Sequence, residues 1–168
     1  MGYTMAESVN IRGYRIIVCG GRKYEDMGSV FIVLDSLPHP EHLLLMHGAA
    51  TGADSLAQKW AILRDARVKS YPANWGDLEH DDAIIKKTPS GRYYDVNAGR
   101  RRNEEMLKEL PDLVIAFPGG NGTAHMVQIA LDAMVPVYRF RPEDGMANIH
   151  LLTSMFDPWG IVGARISR

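Results

Sequence analysis

A three-layer α/β sandwich of the Rossmann-like kind, with a mainly parallel sheet of five or more strands, is the fold this sequence predicts. Three observations predict it. Short apolar runs rich in Val, Ile and Leu alternate with segments of helical apolar spacing over residues 14–141. The strand runs are too apolar to leave a face in water, so helices must cover both sides of the sheet. Three of the runs also end in glycine-bearing loops, as strands do where a backbone turns sharply into a helix.

Each element has its own reason. "YRIIVCGG" from Tyr14 is a β-branched run closed by a glycine pair, the first strand. After Asp26, an N-cap, Val30, Val33, Leu34 and Leu37 recur at helical spacing and Pro38 stops the helix. "HLLLMHG" gives a second strand ending at His47-Gly48, and "GADSLAQKWAILRDA" a second helix with Leu56, Trp60 and Leu63 along its apolar face. A third strand starts at Val68, and Trp75 to Asn97 reads as irregular. "AGRRRNEEMLKEL" is a helix stopped by Pro111. "DLVIAFPGG", "TAHMVQIALDAM" and "VPVYRF" complete the series as a fourth strand, a fourth helix and a fifth strand. The chain then divides into a flexible leader (1–13), the domain (14–141, with 75–97 an insertion or lid) and a tail (142–168). That tail shows no clear period, and its apolar residues, Phe156 and Trp159 among them, call for packing on the domain or on a second subunit.

Composition narrows the function. At 168 residues, 46% hydrophobic and 23% charged, the chain fits one globular domain. Its net charge of −1 supplies no overall attraction to nucleic acid or to an anionic membrane, so neither is expected as a partner. Cys19 is the only cysteine, which excludes an internal disulfide and favours a reducing compartment, the cytoplasm. No apolar run reaches membrane-spanning length, and the leader lacks the apolar segment of a secretory signal. Six histidines without clustered spacing predict no metal site, and no cofactor is expected.

With right-handed crossovers and the common strand order 3-2-1-4-5, strands two, one and four are consecutive, and their loops meet at one sheet edge where ligands bind. In "PGGNGT", Pro118, Gly119, Gly120, Asn121, Gly122 and Thr123 open a helix whose free N–H groups and positive end favour an anion. The same residues also suit a tight turn with Thr123 as a cap and no ligand. "HGAATGAD" repeats the pattern with Gly48, Thr51, Gly52 and Asp54, and "GGRKY" adds Gly20, Gly21 and Arg22, whose fork of donors matches phosphate. The chain has no Walker A lysine, no dinucleotide G-x-G-x-x-G fingerprint and no G-x-S-x-G elbow, so an NTPase, an ordinary dehydrogenase and a serine hydrolase lack support.

Five ordered stretches carry a family resemblance: Cys19-Gly20-Gly21-Arg22 with Asp26, "HGAATGAD", "YPANW", "AGRRRNEEML" and "PDLVIAFPGGNGTAHMV". Together they resemble the YspA-like, cpYpsA-related branch of the SLOG superfamily, which also holds the LOG phosphoribohydrolases and the DNA-processing protein DprA. That resemblance implies a bacterial or phage protein of the host or bacterial cytoplasm that binds a nucleotide or nucleotide-derived ligand and forms a homodimer or higher homo-oligomer. It adds Arg102 and Asn103 to the ligand-binding set. Where LOG enzymes carry a catalytic glutamate, this chain has Met126, whose thioether cannot activate water, so the resemblance favours binding over hydrolysis. Ala49 replaces a glycine usual in the second motif, and Asn74 an acidic residue before the tryptophan.

Individual residues carry two readings each. Asp54 suits ribose hydroxyls or a general base, and equally a first-turn acid favoured by the helix dipole. His125 is the other catalytic candidate, against a plain partly exposed helix histidine. His47 reads as a hydrogen-bonded structural histidine and Cys19 as a core thiol. Of Arg100, Arg101 and Arg102, one (Arg102) is expected in the cleft and the others in solvent or an interface. Arg92, Tyr93 and Tyr94 form either a lid stacking on a base or a solvated insertion. The expected function is binding of a phosphorylated nucleoside, ADP-ribose-like or a nucleotide second messenger. Cleavage of an N-ribosidic or phosphate bond is the alternative, and single-stranded DNA binding a second one.

Overall fold

The computed structural model describes residues 13–156, so the leader's residues 1–12 and the tail beyond Phe156, including Trp159, lie outside the described residues. Five strands form one parallel sheet: β1 (Tyr14–Cys19), β2 (Leu43–His47), β3 (Arg67–Ser70), β6 (Leu113–Ala116) and β7 (Val137–Arg139). Their spatial order is β3-β2-β1-β6-β7, so the chain winds outward in one direction and then returns past β1 in the other. The reversal falls between β1 and β6, which pair in register from Ile16 opposite Leu113 to Cys19 opposite Ala116.

Side chains alternate across the central strands, and the alternation sorts the core into two layers. Tyr14, Ile16 and Val18 pack with α1 (Met27–Asp35) and α2 (Ala53–Leu63), whereas Ile17 and Cys19 pack with α3 (Ala98–Leu107) and α4 (Asn121–Asp132). The Asp26 carboxylate caps α1 by accepting from the Ser29 N–H at 3.0 Å, an arrangement worth about 1 kcal/mol. Trp60, buried on α2, donates its indole N–H to Asp35 at 2.8 Å and so ties α2 to α1.

Four readings of the sequence are corrected here. The buried side of α2 is Ala53, Ala57, Trp60 and Ala61, and Leu63 is 59% exposed, because a tight approach to the sheet selects small side chains. Strand β3 is exposed at all four residues, since an edge strand carrying Arg67 and Lys69 needs no second cover. The segment read as irregular contains an antiparallel hairpin, β4 (Ile85–Lys87) with β5 (Tyr93–Asp95), turned at Gly91 with φ of 88°. The tail contains a helix, α5 (Ile149–Met155), whose Ile149 and Leu152, with Phe156 after it, enter the α1/α2 core, Phe156 meeting the Tyr14 ring at 5.3 Å.

Candidate functional site

The loops after β1, β2 and β6 are in direct backbone contact at the carboxyl edge of the sheet. Gly21 donates its N–H to the Pro118 carbonyl at 2.8 Å, and the Gly21 carbonyl accepts from Ala53 N–H at 3.2 Å. Thr51 donates its hydroxyl to the Arg22 carbonyl at 3.0 Å. Gly52 sits at φ of 75° with its Cα against the Gly21 and Arg22 backbone, a conformation and a spacing that no side chain tolerates. Gly119 is similarly enclosed by the Thr123 hydroxyl and the Gly21 amide.

Above this junction lies a cleft of about 480 Å³. Of the residues singled out in the sequence it gathers Gly20, Gly21, Arg22, Gly48, Asp54, Arg102, Asn103, Gly120, Asn121, Gly122, Thr123 and His125. Thr51, Gly52, Pro118 and Gly119 are not on its wall: they hold the loops together beneath and beside it. Sequence reasoning did not place Ala50, Trp75, Val96, Gly99, Arg100 or Met106 in the site, and these, with Cys19, complete the wall. Trp75 has its ring edge against Gly99 on one side and the Arg22 guanidinium 5.1 Å from its centroid. Trp75 and Gly99 lie in two of the stretches that carry the family resemblance, "YPANW" and "AGRRRNEEML", but their facing each other across the cleft depends on the path of the loop after β3, which local spacing does not give.

The cleft is built for negative charge. Helix α4 starts without a side-chain cap, and among the described residues no protein acceptor takes the N–H groups of Asn121, Gly122 or Thr123. Among the described residues a Cβ added at Gly120 or Gly122 would meet nothing within 4 Å, so their packing does not account for glycine at either position. Arg102 spans the floor: Nη1 donates to the Gly48 carbonyl and to the Tyr71 carbonyl (3.2 Å), and Nε to Asn103 Oδ1 (3.0 Å). Among the described residues it has no carboxylate at ion-pair distance. Burial pulls its pKa below the ordinary arginine value, with the nearby Asp54 charge opposing and Arg22 adding to the fall. Asn103, itself buried, donates to the Gly122 carbonyl at 3.0 Å and lies 3.2 Å from His125 Nδ1, which fixes α3 to the first turn of α4.

Asp54 does structural work. Its Oδ2 accepts from the N–H groups of Gly48 (2.9 Å) and Ala50 (3.2 Å), pinning the loop after β2. Burial raises its pKa despite these donors and the two nearby arginines. His47 Nδ1 accepts from Ala49 N–H at 3.1 Å, so Nε2 carries the proton, and that buried nitrogen has no partner among the described residues. The Cys19 thiol, on the cleft floor, is pushed up to about 12, first by burial and then by Asp54, so it is no nucleophile near neutrality. Met126 is fully buried against Met106 and Val114 in the α3/α4 core and is not on the cleft wall. Burial also lowers the pKa of His125, with Arg100 adding to the fall and Glu104 opposing it.

The three arginines separate. Arg102 enters the cleft, and Arg100, expected in solvent or an interface, lies on its rim. Arg101 turns away to pair with Asp82 and with Asp95, and Asp95 also accepts the N–H groups of Ile84 and Asn97, each at 2.8 Å. Arg101 thus bolts α3 to the segment that carries the β4–β5 hairpin. Tyr93, 54% exposed, faces Lys87 with the ammonium 5.2 Å from its ring, and neither Arg92, Tyr93 nor Tyr94 reaches the cleft wall. No cluster of metal-ligating residues and no helix long and apolar enough to cross a membrane occurs among the described residues.

These features define a Rossmann-like domain with a polar cleft where glycine loops converge at its topological switch point. The chain belongs to the YspA, cpYpsA-related SLOG family, whose description matches residues 14–77. It is 30% identical over 132 residues to the Gene 61 protein of Mycobacterium phage D29, covering 75% of this chain and 95% of that protein. In fold it is similar to DprA from Streptococcus pneumoniae, with a TM-score of 0.58 and 18% identity over 85% of this chain, which spans 56% of the DprA chain. It is similar also to DprA from Helicobacter pylori, at 0.52 and 13% identity, covering 92% and 81% of the two chains. Ligand binding in general fits this family and these neighbours. The Helicobacter protein is described as having a unique single-stranded DNA binding mode, and this overturns the exclusion of nucleic acid drawn above from net charge. Net charge is an average, and a fold of this kind concentrates its donors at one edge.

Proposed function

We propose that the cleft binds a phosphorylated nucleoside or nucleotide-derived ligand and holds it without cleaving it. The observation that carries this reading is Arg102: a largely buried guanidinium on the cleft floor, unpaired with any carboxylate of the described residues, beside three unsatisfied N–H groups of α4. A phosphate supplies the missing negative charge and accepts from both. Arg22 and Arg100 stand at the mouth, and Trp75 offers an aromatic wall beside them. Asp54 orients the sugar through its second oxygen while its first stays with the loop. Met126 lies in the core, so no carboxylate occupies the position from which LOG enzymes act, and this supports binding over hydrolysis.

Calorimetric titration of the purified chain with AMP and ADP-ribose tests the reading, with the nucleotide recovered after denaturation and weighed by mass spectrometry. Micromolar or tighter binding with the ligand recovered intact is expected. Arg102→Ala should weaken it by about 10- to 100-fold, the worth of one charge-assisted contact. Base release abolished by Asp54→Ala would show an enzyme instead. Absence of any nucleotide binding would refute the proposal.

A further inference from the structure

We propose that the ligand has two halves joined by a pyrophosphate and straddles the first turn of α4, its second half seated in a separate cavity on the other side of that turn. The inference rests on the reading of the first cleft and extends it.

A second cavity of about 650 Å³ opens between α4 and the end of β7. Its wall includes Pro118, Gly119, Thr123 and Gln128 on one side and Arg139 and Arg141 on the other. The two cavities share Thr123, so the segment Gly119–Thr123 is a partition with a pocket on each face. Each cavity alone has the size of a small-ligand site, roughly 300–1,000 Å³. Positions 139 and 141 are two apart and lie on the α4 side of the sheet, opposite Tyr138 and Phe140, whose rings enter the other core. Both arginines are exposed and, among the described residues, neither has an ion-pair partner. Among the described residues Glu143 is the one acid on that wall, so the cavity they form keeps a positive excess. The free N–H groups of Asn121, Gly122 and Thr123 stand on the partition, where a bridging pyrophosphate would lie. A mononucleotide fills the first cleft only and leaves both arginines unused. A ligand with a second sugar-phosphate or nucleoside half reaches them.

The test is a comparison of AMP with ADP-ribose on the full chain, with a hexathymidylate as a third probe. ADP-ribose should bind about tenfold or more tightly than AMP, as an added charge-assisted contact gives. Replacing both arginines, Arg139→Ala with Arg141→Ala, should reduce that preference to below about threefold, while the double lysine replacement retains most of it. Equal affinities of the wild-type chain for AMP and ADP-ribose would overturn the straddling ligand and leave the first-cleft reading intact. Failure of both nucleotides to bind would overturn the two together. Hexathymidylate binding more tightly than ADP-ribose and displacing it would assign the second cavity to a nucleic-acid strand and refute the proposal. The wild-type comparison decides the matter even if the double variant misfolds.

Discussion

Replacing Ala49 with glycine should stabilise this protein. Ala49 sits in the loop after β2 at φ of 55°, the left-handed region, exposed, with its amide held by His47 Nδ1 at 3.1 Å. An L-residue pays about 1–2 kcal/mol there because its Cβ crowds the following carbonyl. Glycine removes that crowding but gives the unfolded chain more freedom, which costs about 0.4–1 kcal/mol. The balance is a gain of about 0.5–1 kcal/mol, which in a chain of this size raises Tm by about 1–4 °C. Thermal and urea unfolding followed by circular dichroism measure it. Ala49→Val, β-branched at the same φ, should move stability the opposite way and by more. Nucleotide affinity should stay within about twofold in the glycine variant, because Ala49 is not on the cleft wall. A glycine variant less stable than wild type would refute the argument that this loop stores strain.

Three further outcomes follow from the packing and the charges. Met126→Glu, which restores the LOG carboxylate in name, should lose about 3 kcal/mol or more of stability in urea and gain no nucleotide hydrolysis, since the side chain enters an apolar core. Arg101→Ala releases Asp82 and Asp95, so limited proteolysis should nick residues 76–96 faster while the sheet stays intact. Burial alone would lift the Asp95 carboxyl, but the Asn97 and Ile84 amides and Arg101 outweigh it, so its pKa lies below the ordinary 3.8. The sign is that of a depressed acid: its contribution is complete above the unfolded value and is lost as pH falls through the folded one. The urea midpoint should therefore drop more steeply below pH 4 in wild type than in Asp95→Asn, and equal slopes would count against the assignment.

The strand order and the meeting of three loops were legible because buried apolar runs, short loops and right-handed crossovers leave few ways to arrange such a sheet. The hairpin was not. Ile85–Lys87 and Tyr93–Asp95 have too little apolar alternation to register as strands, and the pairing depends on Asp95 collecting two amides and Arg101 from separate segments. Within "GRRRN" the pattern allowed one inward arginine, but helical spacing alone could not tell that Arg101 meets Asp82 and Asp95 of the hairpin segment. Asp54 was legible as a cleft residue, whereas its hold on Gly48 and Ala50 required the loop's actual path. Ala49 stood out by its departure from a glycine, and the positive φ supplies the physical content of that departure.

Gly21 is wedged between the Gly52 and Gly119 loops, bonded to one partner through its amide and to the other through its carbonyl. Such a joint makes the base of the cavity preorganised, so a guest pays little entropy to order it. It also confines evolutionary change. A substitution at Gly21, Gly52 or Gly119 disturbs the joint that all three loops share, and new ligand preferences must arise at the periphery, around Trp75, the arginines and the hairpin, where neighbours can adjust without dismantling the base.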